Sequence, residues 1–244
     1  MNRYGLIGFP LTHSFSKKFF TEKFQVEKID AEYLNFEIEN INTISEILES
    51  TDNLKGLNVT IPHKEAVMPL LTNLNDAAQA IGAVNTIKVN QVTGETTGYN
   101  TDVYGFMESI KPLIKAHHKS ALVLGTGGAS KAVVWALNHM GITTQLVSRR
   151  STETTLAYEE LTEELMQQYS VVVNTTPLGT YPKEETFPAI PYQYLTKDHL
   201  LYDLVYNPSV TTFMKKGIEQ GATVKNGHDM LELQALKAWE IWNE

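Results

Sequence analysis

The chain has 244 residues, of which 42% are hydrophobic and 20% charged, and this apolar fraction suffices for the cores of one large or two modest domains. The absence of cysteine excludes disulfides, thiolate metal sites and a cysteine nucleophile, and the net charge of −8 argues against a nucleic-acid binder, which needs a basic surface to neutralise phosphates. No stretch approaches the roughly 18–20 apolar residues of a membrane span, and the first residues lack the apolar region of a signal peptide, so we expect a cytoplasmic protein without membrane partners.

Apolar, strand-like segments alternate with helical patterns along the chain, which is typical of an α/β protein. In the first part, the pattern predicts a strand over residues 4–9, an amphipathic helix over Phe15–Val26 and a strand over residues 56–61. We expect a second helix to begin at Pro62, since proline is tolerated in a first helical turn, and a further strand over residues 83–89.

The second part of the chain has the pattern of a nucleotide-binding α/β unit. Strands are predicted over residues 121–125, 142–148, 171–174 and 200–205, with a helix over residues 128–140 that is closed by Gly141. The last helix, over His228–Asn243, follows Gly227 and need not belong to this unit. We therefore predict a second domain over residues 104–227, inserted after a first domain of residues 1–103.

A glycine-rich turn lies between a predicted buried strand and a predicted helix, with the sequence Gly125-Thr126-Gly127-Gly128-Ala129-Ser130. Glycines at such a turn let the backbone approach a pyrophosphate, and the helix N-terminus supplies free N–H groups. An ordinary strand-to-helix turn is the alternative. The strand before and the helix after favour a dinucleotide site.

The end of the next strand indicates which dinucleotide binds. An NAD site usually has an acidic residue there for the ribose hydroxyls, whereas this chain has Ser148-Arg149-Arg150. The planar guanidinium group suits a 2′-phosphate. A solvated pair of surface charges is the other interpretation, but the position after the glycine turn favours NADP.

The segment from Asn58 to Lys64 contains the strongest candidates for catalysis. Asn58 and Thr60 are two residues apart on a predicted strand and therefore point to one face. Lys64 falls in the first turn of the predicted helix, where the helix dipole disfavours a cation, which suits a lysine that exchanges a proton. It could equally be an exposed surface lysine. Asp102, just before an apolar helical pattern, is either a helix N-cap or a carboxylate paired with Lys64.

Further polar residues occupy positions that suit a ligand site. Ser14 and Ser16, at the start of the first helix, are either capping residues or ligands for a carboxylate. Asn85 is an amide in an otherwise apolar predicted strand, so it needs hydrogen-bond partners that a polyol could supply. Gln234 shares an apolar helical face with Met230 and Ala238, so it is either satisfied by protein groups or reaches into a site.

Taken together, these segments resemble the shikimate dehydrogenase family along the whole chain. The resemblance includes Ser14-Phe15-Ser16, residues 58–64, Asn85 in Ala-Val-Asn-Thr, Asn100-Thr101-Asp102, residues 125–130, residues 174–179, residues 203–208, and the set Gly227, Met230, Leu231, Gln234 and Ala235. It implies an N-terminal α/β substrate domain, completed by the C-terminal helix over residues 228–244, and a Rossmann-like NADP-binding domain with a mainly parallel sheet.

The resemblance also implies an activity and roles for named residues. It implies the reversible, NADPH-dependent reduction of 3-dehydroshikimate to shikimate, an oxidoreductase step in the shikimate pathway to chorismate and the aromatic amino acids. Lys64 and Asp102 would be the catalytic pair. The substrate would be bound by Ser14, Ser16, Asn58, Thr60, Asn85, Tyr206 and Gln234. The cofactor would be bound by residues 125–130 and 148–150 and by Thr175, Leu204 and Gly227.

Three departures from the family pattern and several alternatives remain, and the first departure is that the chain is on the short side for the family. Ser148 replaces the usual asparagine before the arginine, and Thr180 replaces the methionine that often follows Pro-Leu-Gly. The alternatives are a quinate/shikimate dehydrogenase that uses NAD, a polyol reductase, and a non-catalytic sensor of NADP or a metabolite. We predict no metal ligands, because no histidine–carboxylate cluster offers them, and expect a monomer or homodimer.

Overall fold

The computed structural model describes residues 1–11 and 14–244, and two compact units are distinguished within it. The first unit contains Met1–Thr101 and Ala235–Glu244, and the second contains Asp102–Gln234. The chain thus enters the second unit two residues before the boundary we predicted, and it leaves inside the last helix instead of before it. The assignment of the whole last helix to the substrate domain stays a prediction.

Across residues 1–11 and 14–244, twelve strands form two six-stranded sheets. The strands are β1 (Asn2–Gly8), β2 (Ala31–Glu37), β3 (Leu54–Val59), β4 (Asn73–Leu74), β5 (Thr86–Val89), β6 (Thr96–Tyr99), β7 (Ser120–Leu124), β8 (Thr143–Ser148), β9 (Thr155–Ala157), β10 (Val171–Asn174), β11 (Leu200–Asp203) and β12 (Thr223–Lys225).

The same described residues form eight α-helices, seven of which lie between strands and the last of which follows β12. They are α1 (Phe15–Val26), α2 (Ile44–Ser50), α3 (Asp76–Ile81), α4 (Thr101–Ile110), α5 (Gly128–His139), α6 (Glu163–Gln168), α7 (Thr212–Glu219) and α8 (His228–Asn243). The predicted bounds of α1, β10 and α8 are confirmed without change. None of the helices in the described part of the chain combines the length and the hydropathy that a membrane span requires.

The sheet of the first unit is mixed, in the order β2-β1-β3-β5-β6-β4. β1 runs parallel to β2 and β3, whereas β5 is antiparallel to both β3 and β6. The carboxyl ends of β1, β3 and β6 and the amino end of β5 therefore meet at one edge of this sheet. We call it the polar edge, because Asn58, Thr60, Asn85 and Thr101 lie along it.

Aromatic packing attaches the end of α8 to the sheet of the first unit. Tyr4 on β1 lies 5.3 Å from Trp239 and 5.0 Å from Trp242, measured between ring centroids. Trp242 Nε1 also donates a 3.0 Å hydrogen bond to the carbonyl of Ile87 on β5. Buried aromatic side chains contribute large apolar areas, so the last residues of the chain complete this core.

The sheet of the second unit is entirely parallel, in the order β12-β11-β10-β7-β8-β9. The central strands β7 and β10 are buried at every residue, as expected for parallel strands covered on both faces. From β7 the chain passes to β8 and β9 on one side and then returns to β10 on the other. The topological switch point of this Rossmann-like unit therefore lies between β7 and β10, where open α/β sheets bind nucleotides. The predicted α/β fold is confirmed.

Candidate active site

A network of buried side-chain hydrogen bonds crosses the polar edge of the first unit. Asn58 Nδ2 donates to Thr86 Oγ1 at 3.2 Å, and Thr86 Oγ1 donates to Asn85 Oδ1 at 3.1 Å. The Asn85 oxygen also accepts from the Thr101 backbone N–H at 2.7 Å and from Thr101 Oγ1 at 3.1 Å. These four residues are at most 4% exposed, so the network fixes their orientations in the absence of any ligand.

Asn85 does not lie inside a strand as we predicted, because β5 begins one residue later at Thr86. Its backbone nevertheless continues the sheet, since its N–H donates to Tyr99 and its carbonyl accepts from Val59. The side-chain Nδ2 has no hydrogen-bond partner among the residues that the structure describes, although the side-chain oxygen is saturated. Asn85 therefore presents N–H donors and no acceptor to a ligand.

The predicted helix after Pro62 is wrong, and Lys64 lies in a series of turns. A single 3-10 turn over Met68–Leu70 is the nearest helical element, and Pro69 within it lacks the N–H that a continuing α-helix would require. The backbone carbonyl of Lys64 accepts from Val84 N–H at 2.8 Å. His63, which is buried, donates from Nε2 to the Ile38 carbonyl at 2.7 Å. These bonds hold the half-buried Lys64 at the polar edge, without any contribution from a helix dipole.

Ser14 and Ser16 both lie at the N-terminus of α1. Ser14 is the N-cap, and its Oγ accepts from the Lys17 N–H at 3.0 Å, so the capping interpretation is confirmed. That bond leaves the hydroxyl proton of Ser14 available to an anion. Ser16 is the second residue of the helix, and its side chain interacts with the hydroxyl of Tyr33. Thr12 and His13, between β1 and Ser14, lie outside the described residues.

Asp102 and Gln234 belong to helices of the second unit. Asp102 is the second residue of α4 and not the residue before the helix, because α4 already begins at Thr101. A carboxylate in the first turn of a helix is favoured by the helix dipole. Gln234 is 8% exposed on α8, and its Nε2 donates to the Leu231 carbonyl at 2.8 Å, so protein groups satisfy part of its amide.

The glycine-rich turn lies at the carboxyl end of β7, beside the switch point. Gly125 has a φ of +110°, which other residues rarely adopt, and a Cβ at this position would lie 2.8 Å from Thr175 Oγ1. Thr175, directly after β10, donates from its N–H and from Oγ1 to the Leu124 carbonyl, at 2.9 and 2.7 Å. Gly125 and Thr175 thus close the bottom of the switch-point crevice.

Neither a protein contact nor a positive φ requires glycine at the next two glycine positions, Gly127 and Gly128. A Cβ built on Gly127 or Gly128 meets no protein atom within 4 Å, and neither residue has a positive φ. Gly127 is the N-cap of α5 and Gly128 is its first residue, so both lie beside the backbone N–H groups of the first helical turn. The open space fits a pyrophosphate that approaches the backbone, so the turn is suited to a dinucleotide.

Alanine at Gly127 is therefore expected to weaken cofactor binding without weakening the fold. The φ of −80° is accessible to alanine, so the free energy of unfolding should stay within about 0.5 kcal/mol of the wild type. The KM for NADPH should rise at least about tenfold, since the added methyl group occupies the space of the phosphate. Gly94→Ala, in a surface turn of the first unit, serves as the control for cofactor binding only, because the φ of +74° at Gly94 makes alanine there destabilising. An unchanged KM for NADPH would contradict the role of this turn.

Arg149 and Arg150 follow β8, whose carboxyl end lies beside that of β7. Both side chains are largely exposed, and neither forms an ion pair with a carboxylate in the described part of the chain. Ser148 Oγ donates to the Arg150 carbonyl at 2.8 Å and accepts from the Arg150 N–H at 3.3 Å. The serine thus shapes the loop, and two uncompensated guanidinium groups fit a phosphate dianion at the ribose.

Leu204, Tyr206 and Gly227 are close to one another in the second unit. A Cβ on Gly227 would overlap the Leu204 carbonyl oxygen, so this close approach of two backbone segments requires glycine. The Gly227 N–H donates to the Val205 carbonyl. Tyr206, two residues after Leu204, is 43% exposed and available to a ligand.

Asp203 is a buried carboxylate at the end of β11 that sequence reasoning did not single out. Its oxygens accept from Asn174 Nδ2 at 2.9 Å, from the Val205 N–H at 3.0 Å and from Thr211 Oγ1 at 2.6 Å. Burial raises the pKa of Asp203 to about 6, although the three hydrogen bonds act in the opposite direction. This residue ties together the segments that follow β10 and β11, including Thr175 and Tyr206.

The raised pKa predicts how pH affects stability through Asp203. The folded state binds this proton more tightly than the unfolded state, so the stabilisation is complete below the ordinary pKa of 3.8 and is lost as the pH rises through about 6. The contribution of Asp203 to the free energy of unfolding changes by about 3 kcal/mol across this pH range. Asp203→Asn keeps one accepting oxygen for Asn174 and Val205, its amide nitrogen would donate to Thr211 Oγ1 instead of accepting from it, and the variant should remove this dependence. Urea unfolding of both proteins between pH 4 and 7.5 measures it, and parallel pH profiles would contradict it.

Comparisons with known proteins agree with these features. Residues 6–87 match the model of the shikimate dehydrogenase substrate binding domain. The NADP(+) shikimate dehydrogenase of Clostridium beijerinckii is 40% identical, over 100% of this chain and 93% of its own. The crystal structure of the Aquifex aeolicus shikimate dehydrogenase is 38% identical, with a TM-score of 0.86 over 100% of this chain and 92% of that one.

A further solved structure carries both ligands. It is the Thermus thermophilus shikimate 5-dehydrogenase in complex with NADP(H) and shikimate, 29% identical, with a TM-score of 0.86 over 99% of this chain and 93% of that one. The similarity extends over both units and is not confined to the common nucleotide-binding fold. The chain belongs to the shikimate dehydrogenase family.

Proposed function

We propose that the chain catalyses the reversible, NADPH-dependent reduction of 3-dehydroshikimate to shikimate in the shikimate pathway. Beside family membership, one observation carries the proposal. Lys64 lies at the polar edge of the first unit together with Asn85, whose side-chain N–H groups suit the oxygen atoms of a polyhydroxylated substrate.

Lys64 and Asp102 are the proposed catalytic residues. Negative charge develops on the C3 oxygen of the substrate during reduction, and the Lys64 ammonium group would stabilise this charge and donate the proton. In the reverse direction the amine would accept the proton of the C3 hydroxyl. Asp102 would orient the substrate hydroxyl and the lysine.

The remaining residues of the first unit would hold the substrate. Ser14, with its free hydroxyl proton, and Ser16 are assigned to the carboxylate, and Thr60 and Asn85 to the ring hydroxyls. Asn58 is 4% exposed and its amide is engaged within the protein, so we assign it to the support of Asn85. Tyr206 and Gln234, from the second unit, complete the proposed substrate-binding set.

NADPH, when bound, supplies the hydride. The backbone at residues 125–130 would hold its pyrophosphate, Thr175 would line the crevice, and residues 148–150 would hold the 2′-phosphate. Leu204 and Gly227 are the residues assigned to the nicotinamide side. The open space at Gly127 and Gly128 supports this assignment, because it leaves room for a ligand to approach the backbone.

Two of the alternatives, one within the same fold and one from another class, are supported less well. An NAD-dependent quinate/shikimate dehydrogenase would benefit from an acidic residue at the end of β8, where this chain has Ser148-Arg149-Arg150. A non-catalytic sensor would not need Lys64 and Asp102. We also propose a cytoplasmic location and a monomeric or homodimeric state.

The formation of reduced cofactor with shikimate and with quinate, each against NADP and NAD, tests the proposal. We expect kcat/KM to be highest for shikimate with NADP and at least about tenfold lower for shikimate with NAD, since charge-assisted hydrogen bonds to the 2′-phosphate are lost. Equal use of the two cofactors would contradict the cofactor assignment. Binding of NADP without turnover of either substrate would favour the sensor.

A further inference from the structure

Tyr33 lies at the far end of the hydrogen-bond network that fixes Asn85. It is on β2, is 3% exposed, and its ring stacks on Phe20 with centroids 4.8 Å apart. Its hydroxyl donates a 2.7 Å hydrogen bond to Asn58 Oδ1. Tyr33 belongs to none of the motifs that carry the family resemblance, and its hydroxyl also interacts with the side chain of Ser16.

The proton of Tyr33 orients the Asn58 amide and, through it, favours one direction of the network. Burial raises the pKa of Tyr33, so the hydroxyl stays protonated and can act as a donor. Asn58 Oδ1 must then face Tyr33, which turns Asn58 Nδ2 toward Thr86 Oγ1. Because Thr86 Oγ1 accepts from this amide, its own proton can be donated to Asn85 Oδ1 at 3.1 Å, while the Thr101 hydroxyl lies at the same distance.

Without the Tyr33 hydroxyl, the Asn58 amide would be held in this orientation chiefly by a long hydrogen bond of 3.4 Å from its Nδ2 to the Asn85 backbone carbonyl. A rotation by half a turn would bring Asn58 Oδ1 opposite Thr86 Oγ1, and Thr86 would donate to Asn58 instead of Asn85. The Asn85 oxygen would keep its two bonds from Thr101 but lose the third donor. The orientation that presents only N–H groups to a ligand would be less strongly preferred.

We propose that Tyr33 is a positioning residue for substrate binding, which acts through Asn58 and Thr86 to hold the Asn85 amide with its N–H groups toward the substrate. This inference rests on the proposed function for the identity of the substrate. It assigns no catalytic role to Tyr33, so it predicts an effect on substrate affinity and little effect on the rate of the chemical step.

Tyr33→Phe is expected to raise the KM for 3-dehydroshikimate about five- to tenfold, the range expected for one buried hydrogen bond. The kcat and the KM for NADPH should stay within about twofold of the wild type. Thr86→Val should have a similar effect, and the double variant should be no worse than either single variant, because both changes interrupt one chain of bonds. Fully additive effects on KM would overturn the proposal.

A matched control separates positioning from a general loss of stability. Tyr202 is also buried, and its hydroxyl shares a 2.7 Å hydrogen bond with Ser109 in the second unit. Tyr202→Phe should lower the free energy of unfolding about as much as Tyr33→Phe but leave the KM for 3-dehydroshikimate unchanged. Equal KM values for the two variants would mean that Tyr33 is only structural.

The side-chain amide resonances of Asn85 give a readout that does not depend on turnover. In ¹H–¹⁵N spectra, with the signals assigned by their loss in Asn85→Ser, we expect them to shift in Tyr33→Phe and not in Tyr202→Phe. Unmoved signals in Tyr33→Phe would overturn the inference even in an active enzyme. A wild-type protein that does not reduce 3-dehydroshikimate would overturn the proposed function, while shifted signals would still support the positioning of Asn85.

Discussion

Replacement of Lys64 by alanine is expected to lower kcat for the reduction of 3-dehydroshikimate by about 10³-fold, because proton donation and the stabilisation of charge on the C3 oxygen are lost together. The fold should be unaffected. Lys64 is anchored through its backbone carbonyl, which still accepts from Val84, and this bond does not involve the side chain that is removed. Steady-state kinetics with saturating NADPH measure the effect.

Two further variants sharpen this test. Lys64→Arg keeps the positive charge but offers a group that is not deprotonated in proteins, so we expect it to remain impaired at least about tenfold. Lys55→Ala removes a half-buried lysine from β3, the strand that leads into the same segment, and should leave kcat unchanged. The dissociation constant for NADPH should be unaltered in all three variants. Activity of Lys64→Ala within tenfold of the wild type would exclude this lysine as the proton donor.

Removal of both guanidinium groups after β8 is expected to abolish the preference for NADPH. In the double variant Arg149→Ala/Arg150→Ala, kcat/KM with NADPH should fall about 10²–10³-fold, the loss expected for two charge-assisted hydrogen bonds to a phosphate. The value with NADH should change by less than about threefold, since NADH has no 2′-phosphate. The single variants show how the two arginines share the contact.

Arg3 provides the matched control, because it is the remaining arginine of the chain and lies on β1 of the first unit. Arg3→Ala loses a hydrogen bond to the Asp52 carbonyl and a contact with Glu32, but should not alter the ratio of the two cofactors. An equal loss with NADPH and NADH in the double variant would show that the arginines stabilise the loop and do not select the cofactor.

Local sequence predicted the segments in which one physical rule dominates. The helix over Phe15–Val26 follows from the spacing of its phenylalanines and the serine cap, and the strand Val171–Asn174 from an uninterrupted β-branched run. The same local rules failed after Pro62. Proline at a possible first turn favoured a helix, but Pro69 limits its length, and the contacts of His63 and Val84 with distant segments decide the conformation instead.

The glycine-rich turn shows how sequence and structure contribute to one site. The sequence identified all of Gly125, Gly127 and Gly128 as one cofactor motif. The structure separates them, because Gly125 is required by its own φ and by Thr175, whereas the other two leave space that no protein atom fills. This distinction depends on where β10 ends relative to β7, which no local pattern contains.

By itself, the sequence determined the α/β class, the cofactor chemistry at the end of β8 and the residue types available for catalysis, since these follow from periodicity and from functional groups along neighbouring positions. Only the tertiary structure decided which polar groups share protons at the polar edge. Tyr33, Asn58 and Thr101 are brought to one network by the register of β1, β2, β3, β5 and β6. Pairing between strands joins residues far apart in the chain, so the direction of each hydrogen bond, and with it the donor-only face of Asn85, is a property of the assembled sheet.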